Sequence, residues 1–229
     1  MACGTLGTDA NQVIAISTAA PNSLEEYDTL TPQAAALNAT GDTVRTATIL
    51  WASLDSVLTV LNDATGRTVV QHPGLTGRLQ ARVGTLISNP LTIRALAAAD
   101  TVFATGATAD TVSLSVDSLS DSLAVELADT LESASGGASL TVPLAGRPVV
   151  YTITHPAAPD SITLVRVDTS HAVVGSDTVA TGSSGVAVVK VRLLGGPLPD
   201  SVVVTASAQR AVGTIVPGSP VTFVVRFQP

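Results

Sequence analysis

Apolar and polar residues alternate along most of this chain, and the alternation has the two-residue period of a β-strand. It is clearest in Val13 to Ile16, Thr46 to Trp51, Leu79 to Val83, Leu91 to Leu96, Ile162 to Val167, Val186 to Leu193, Val202 to Ala206 and Val221 to Phe227. In Leu91-Thr92-Ile93-Arg94 the polar side chains fall on one face, as in a strand with one side on a core and the other in water. Glycine and proline separate these runs. Gly41, Gly66, Gly106 and Gly182 each follow Ala-Thr, at places where a turn often needs positive φ.

A second pattern overlies the first. Asp, then Ser or Thr, then an aliphatic residue recurs at Asp28, Asp42, Asp55, Asp100, Asp110, Asp117, Asp121, Asp129, Asp160, Asp177 and Asp200. Aspartate can bond the backbone two residues on and close a turn. The residues after it favour a pleated, half-buried surface. The phrase therefore predicts many short strands, each entered through a turn. Two segments fit more than one period. Pro32 to Asn38 reads as one or two helical turns. Ser122 to Glu132 places Leu123, Leu127 and Leu131 on a helical stripe behind a possible N-cap at Asp121, yet it also alternates as Leu123, Val125, Leu127. Its neighbours are strands, so a strand is predicted there.

Strands spaced about ten residues apart, with turn signals between them, point to sandwiches of roughly 100 residues each. The 229 residues therefore divide into two. The sequence predicts an all-β protein with a flexible polar tether over residues 1–11 and antiparallel β-sandwiches over 12–98 and 99–229, joined near Ala97 to Asp100. Composition agrees. Hydrophobic residues make up 45% of the chain and aromatics only 3%, so the cores are built from Val, Leu, Ile and Ala. Charged residues are 13% and the net charge is −7. Such an acidic chain with scattered bases lacks the footprint for nucleic-acid phosphates or anionic lipid. No stretch approaches the roughly 20 apolar residues of a membrane-spanning helix.

Both halves resemble known modules. Residues 43 to 96 resemble a bacterial immunoglobulin-like domain of the group 2 type. The resemblance rests on Thr46 to Trp51 followed by Ala52-Ser53, Val57 to Val60, Gly66 to Val70, and Gly77 to Ala81. Residues 121 to 208 resemble the group 1 type of invasin- and intimin-like surface proteins. There the matching stretches are Leu123 to Asp129, Gly146 to Tyr151, Thr181 to Ala187 and Val202 to Ser207, with Gly182 where that type usually carries Asp. The resemblance implies two tandem immunoglobulin-like sandwiches that act outside the cytoplasm as adhesion, spacer or structural modules. Ala2-Cys3-Gly4 resembles the junction at which bacterial lipoprotein signals are cleaved, which would make Cys3 a lipid-attachment site on an outer-membrane lipoprotein. The alternative is a free thiol in a polar tail, since a lone cysteine makes no disulfide within the chain.

Candidate chemistry is sparse. His72, His155 and His171 are far apart in sequence, without metal-ligand spacing. Gly182-Ser183-Ser184-Gly185 is too short for a nucleophile elbow, and no dinucleotide or phosphate loop is present. These signs point away from an enzyme and from any cofactor. Some surface immunoglobulin-like repeats hold calcium between domains, which makes Asp100, Asp110, Asp117 and Asp121 the metal candidates. Against this, the acids are spread one per turn, and calcium prefers closely spaced carboxylates. Trp51 ends an alternating apolar run, so burial is expected over an exposed sugar-stacking role. Partners are expected to be proteins or surface glycans. Self-association through edge strands would make the chain a subunit of a fibre or surface assembly, with Val13 to Ile16 and Val221 to Phe227 as the natural donors. A carbohydrate-binding or hydrolase accessory module is the alternative from another class.

Overall fold

A computed structural model describes residues 12–113, 118–131, 140–157, 160–167, 173–175, 177–195 and 199–228. Every regular element among them is a strand. The chain divides into two compact units, Met1–Ala97 and Ala98–Pro229.

The first unit is built from β1 (Ala15–Ala19), β2 (Ser23–Glu25), β3 (Thr29–Leu30), β4 (Gln33–Leu37), β5 (Leu50–Ser53), β6 (Leu58–Asn62), β7 (Arg67–Val70), β8 (Thr76–Val83), β9 (Leu86–Ile87) and β10 (Leu91–Leu96). One sheet runs β2-β10-β8-β5, with β9 beside β8, and a second runs β3-β7-β6. β2 lies parallel to β10, and β1 pairs antiparallel with β4. β3 and β4 are two halves of one strand broken at Thr31-Pro32. Proline has no N–H for the ladder, so the first half pairs with β7 and the second with β1. Leu24, Trp51, Leu58, Val70, Leu79 and Ile93 meet in the core between the sheets. Gly66, at φ +73°, makes the close approach possible: a Cβ there would stand 2.7 Å from Pro32 Cγ and from Trp51 Cδ1.

The second unit is built from β11 (Thr101–Ala104), β12 (Ala109–Ser113), β13 (Leu123–Leu131), β14 (Leu140–Pro143), β15 (Pro148–His155), β16 (Ile162–Val167), β17 (Val173–Gly175), β18 (Thr178–Ala180), β19 (Val186–Leu193), β20 (Ser201–Ala208) and β21 (Val221–Gln228). One sheet runs β11-β13-β19-β16-β17, with β14 beside β13; the other runs β12-β21-β20-β15-β18. Every second residue of β19 and β20 is buried, so Ala187, Val189, Val191 and Leu193 on β19 and Val202, Val204, Ala206 and Ala208 on β20 line the core. Tyr151 on β15 donates its phenol hydrogen to the Ala187 carbonyl on β19 at 2.8 Å, joining the two sheets through the core.

The two units share a strand plan. In each, the first strand pairs with the second long strand, and the chain then crosses to run parallel with the last strand: β1 with β4 and β2 with β10, then β11 with β13 and β12 with β21. In each, the remaining strands split into the two-sheet order of immunoglobulin sandwiches. One departure occurs in the second unit. The strand beside β15, β18, follows β16 in the chain, whereas in variable-type sandwiches the corresponding strand comes directly after the third.

The alternating runs become strands with small shifts at their ends. Leu91 to Leu96 and Val186 to Leu193 match β10 and β19 end to end, and Ser122 to Glu132 contains β13. Two expectations change. Pro32 to Asn38 holds β4 and no helical turn, because its alanines pair residue by residue with β1. The run from Thr46 enters a strand only at Leu50. Before it, Val44 N–H bonds Ala36 and Ala47 N–H bonds Val44, which folds the segment into a turn. Of the Asp phrases, those at Asp28, Asp100, Asp121, Asp160, Asp177 and Asp200 sit immediately ahead of a strand, while Asp110 and Asp129 lie inside one. Asp117 lies outside the described residues.

Candidate functional site

Aspartates of the recurring phrase bond farther along the chain than a local turn requires. Asp55 Oδ2 accepts the Arg78 backbone N–H at 3.0 Å, and its carboxylate meets Arg78 Nε at 3.4 Å. Asp100 Oδ2 accepts the Thr130 N–H at 3.1 Å while Oδ1 pairs with Arg210 Nη2 at 2.8 Å. Arg210 Nε also donates to the Ala99 carbonyl at 3.0 Å. Asp110 Oδ2 accepts the Asp121 N–H and Oδ1 the Thr111 N–H, both at 2.7 Å. Of the four calcium candidates, the structure therefore brings Asp110 and Asp121 together through a backbone bond and commits Asp100 to an arginine. Among the described residues no group of three or more His, Cys, Asp or Glu side chains gathers at one point.

His72 is exposed in the loop between β7 and β8, and His155 is exposed at the end of β15. They belong to different units. His171 and Cys3 lie outside the described residues. Trp51 is 5% exposed, so its ring serves as core and offers no stacking face.

Open clefts lie among the described residues. One, of about 550 Å³, lies between β15 and β16 and is lined by Tyr151, Ile153, Ile162, Leu164 and Asp177 among others. Another, of about 460 Å³, runs past Pro32, Ala34, Ile49 and Thr65 beside Trp51. The first holds the more chemistry. Its tyrosine is 1% exposed. Burial pushes the phenol well above its ordinary range, with a smaller opposing effect from a backbone hydrogen bond at Val125. A phenol held neutral and already donating to a carbonyl is a poor acid–base catalyst, which needs a pKa near the working pH. What the cleft presents is β-branched and aliphatic wall with one exposed carboxylate, Asp177.

Sequence reasoning missed two anchoring residues. Tyr151 reads as an isolated aromatic, yet it crosses the core of the second unit. Thr181 is buried; its hydroxyl donates to the Leu144 carbonyl and accepts the Arg147 N–H at 2.9 Å. Its place at the head of Thr181-Gly182-Ser183-Ser184-Gly185 was the available signal.

No family model matches the sequence, and no curated protein matches it. Solved structures give partial likenesses. Domains 4 and 5 of the S-layer protein SbsC are 16% identical, with 95% of this chain and 100% of that chain covered and a TM-score of 0.33. The adhesin InvE of Yersinia pseudotuberculosis is 18% identical over 94% of this chain and 60% of that structure, with a TM-score of 0.38. The fibronectin(III)-like modules of Clostridium thermocellum CbhA are 10% identical over 93% of this chain and 94% of theirs, with a TM-score of 0.42.

Proposed function

We propose that this chain is a non-catalytic module of an extracellular or cell-surface protein, where it spaces or presents surfaces for contact with proteins or glycans. The observation that carries the reading is the repetition of one strand plan in two successive sandwiches, with only residues 97–100 between β10 and β11. Repeating a self-contained sandwich adds length and surface. A deep pocket is more often made where elements converge on one site. On this reading Cys3 carries lipid and the protein is an outer-membrane lipoprotein. Protease shaving of intact cells tests the proposal: peptides from both units are expected in the released fraction. Recovery of the intact protein only after lysis would overturn it. Mass spectrometry of the native N-terminus tests the acyl group separately.

One observation favours assembly by strand addition as a second reading. β18 pairs only Pro148 to Val150 of the eight-residue β15. The next outward N–H, from Tyr151, goes to Asp177, and no described strand pairs with the outer edge from Thr152 to His155. A donor strand would fit there. The donor is not Val221 to Phe227: β21 lies between β12 and β20 and is paired on both sides. Among the described strands β1 pairs only with β4, so on the same reading Val13 to Ile16 is kept as a donor through its other edge. Ile153→Pro, which removes an N–H on the open side, would stop fibre growth seen by electron microscopy; continued growth would exclude this edge.

A further inference from the structure

Twelve of the chain's fourteen aspartates are followed directly by Ser or Thr, and none by Lys, Arg, Glu, Gln or Asn. Ser and Thr are 51 of the 229 residues, a share that would put one after about three aspartates. The fold explains the other parts of the recurring phrase. Asp braces a turn, and the aliphatic residue enters the core, as Leu30, Val57, Val102, Leu123 and Val202 do. The residue between them turns the other way, because side chains alternate along a strand. Any hydrated side chain would serve there, yet the position carries a hydroxyl each time.

The fold makes little use of those hydroxyls. Thr43, Ser56, Thr111 and Ser122 are exposed, and among the described residues their hydroxyls make no hydrogen bond. Thr178 Oγ1 donates to the carboxylate of its own phrase, Asp177 Oδ1, at 3.3 Å. In Asp42-Thr43, Asp121-Ser122 and Asp177-Thr178 the acid and the hydroxyl are both exposed. Asp55 and Asp100 are instead engaged by arginines, and Ser161 is 4% exposed.

We propose that the phrase marks acceptor hydroxyls for O-linked sugars, with Thr43, Ser122 and Thr178 as the principal sites. The acid before each hydroxyl selects the group that is added. A phosphate there would set a second anion beside the Asp carboxylate, on a chain whose net charge is already −7. A neutral sugar adds bulk and hydration without charge. This chain has use for that hydration, since only 13% of its residues are charged, about half the usual share. The transfer needs a glycosyl diphosphate and a separate transferase. The Ser or Thr oxygen bonds the sugar's C1 and gives its proton to a base of the transferase. The bond from C1 to the diphosphate oxygen breaks, and the diphosphate leaves with the electron pair. The inference rests on the reading that the chain works outside the cytoplasm, where a sugar coat meets solvent and partners.

Peptide mass spectrometry of the full chain purified from its own cells tests this, with electron-transfer fragmentation to place each added group. Sugar is expected on Thr43, Ser122 and Thr178. None is expected on buried Ser161, nor on Thr92, which is exposed on β10 between Leu91 and Ile93 but follows no acid. Asp121→Asn keeps a turn-former and the backbone N–H that bonds Asp110, while it removes the charge. It should abolish the addition at Ser122 and leave Thr178 filled. Circular dichroism checks that this variant is folded, and Ser122→Thr should restore nothing that Asp121→Asn removes. Bare Thr43, Ser122 and Thr178 in the native protein would refute the proposal. So would phosphate in place of sugar, sugar on Thr92 as often as on Ser122, or a filled Ser122 in Asp121→Asn. Protease shaving separates the two readings: released peptides with bare phrases leave the surface location standing and remove only the acceptor role.

Discussion

Trp51 and Tyr151 are large aromatic anchors, one in each core, and they differ in how far the sequence reveals them. Trp51 closes an alternating run, so its burial was readable from the pattern. Trp51→Ala should destabilise the first unit by about 3–5 kcal/mol, the usual range for truncating a buried large aromatic. A denaturation midpoint close to wild type would show that the ring is not core. Tyr151 gives no such sign, because its value lies in a carbonyl 36 residues away that only the folded chain brings near. Tyr151→Phe should lower stability at neutral pH by about 1 kcal/mol, the net worth of a typical hydrogen bond. Its pH signature is sharper. The folded state holds the phenolic proton to higher pH than the unfolded chain, whose tyrosines titrate near 10. The stability tied to that proton is therefore complete below about pH 10 and lost as pH rises beyond it. Urea titrations across the alkaline range should show wild type falling more steeply than Tyr151→Phe; parallel curves would contradict the burial.

Elements are held to one another by side chains at their ends, and here the sequence is legible only in part. Leu91 to Leu96 and Val186 to Leu193 could be read directly, because alternation fixes which face is buried. β4 could not, since alanine suits both a helix and a strand and only pairing with β1 decides. β2 is three residues long and announces itself by no period. Thr181 ties the connection between β14 and β15 to the turn before β19 through its two hydrogen bonds. Thr181→Val keeps the shape but leaves the Leu144 carbonyl and the Arg147 N–H without that partner. A loss of about 1–3 kcal/mol is expected, measured as the chemical denaturation of the second unit. Arg210 likewise holds the start of β11 through Ala99 and Asp100. Arg210→Ala should cost about 1–2 kcal/mol. Because Asp100 is engaged by Arg210, adding calcium or a chelator should leave the melting temperature of wild type unchanged. A calcium-dependent rise would return Asp100, Asp110 and Asp121 to the status of ligands.

At the scale of the whole molecule, the recurrence of one strand plan was only half visible in the sequence. The two halves resemble different domain types, and their common topology emerges from strand pairing that no local pattern encodes, above all the crossing of β2 to β10 and of β12 to β21. That topology makes each unit bury its own apolar core: Leu24, Trp51 and Ile93 in the first, Tyr151, Val189 and Phe223 in the second. Separate cores predict separable unfolding. Trp51 is the single tryptophan, so its fluorescence follows the first unit alone, while far-ultraviolet circular dichroism follows the strands of both. Gly66→Ala forces a side chain against Pro32 and Trp51 at a position of positive φ. It should therefore move the fluorescence midpoint to lower denaturant and shift only part of the dichroism change. Tyr151→Phe should do the reverse, moving the part of the dichroism change that fluorescence does not report while Trp51 unfolds at its wild-type midpoint. Substitutions more than about 10 Å apart without shared partners are normally additive, so the double variant should show both displacements at their single-variant size. If either substitution moves both signals together, the two units unfold as one cooperative body, and the division into independent sandwiches fails as an energetic description.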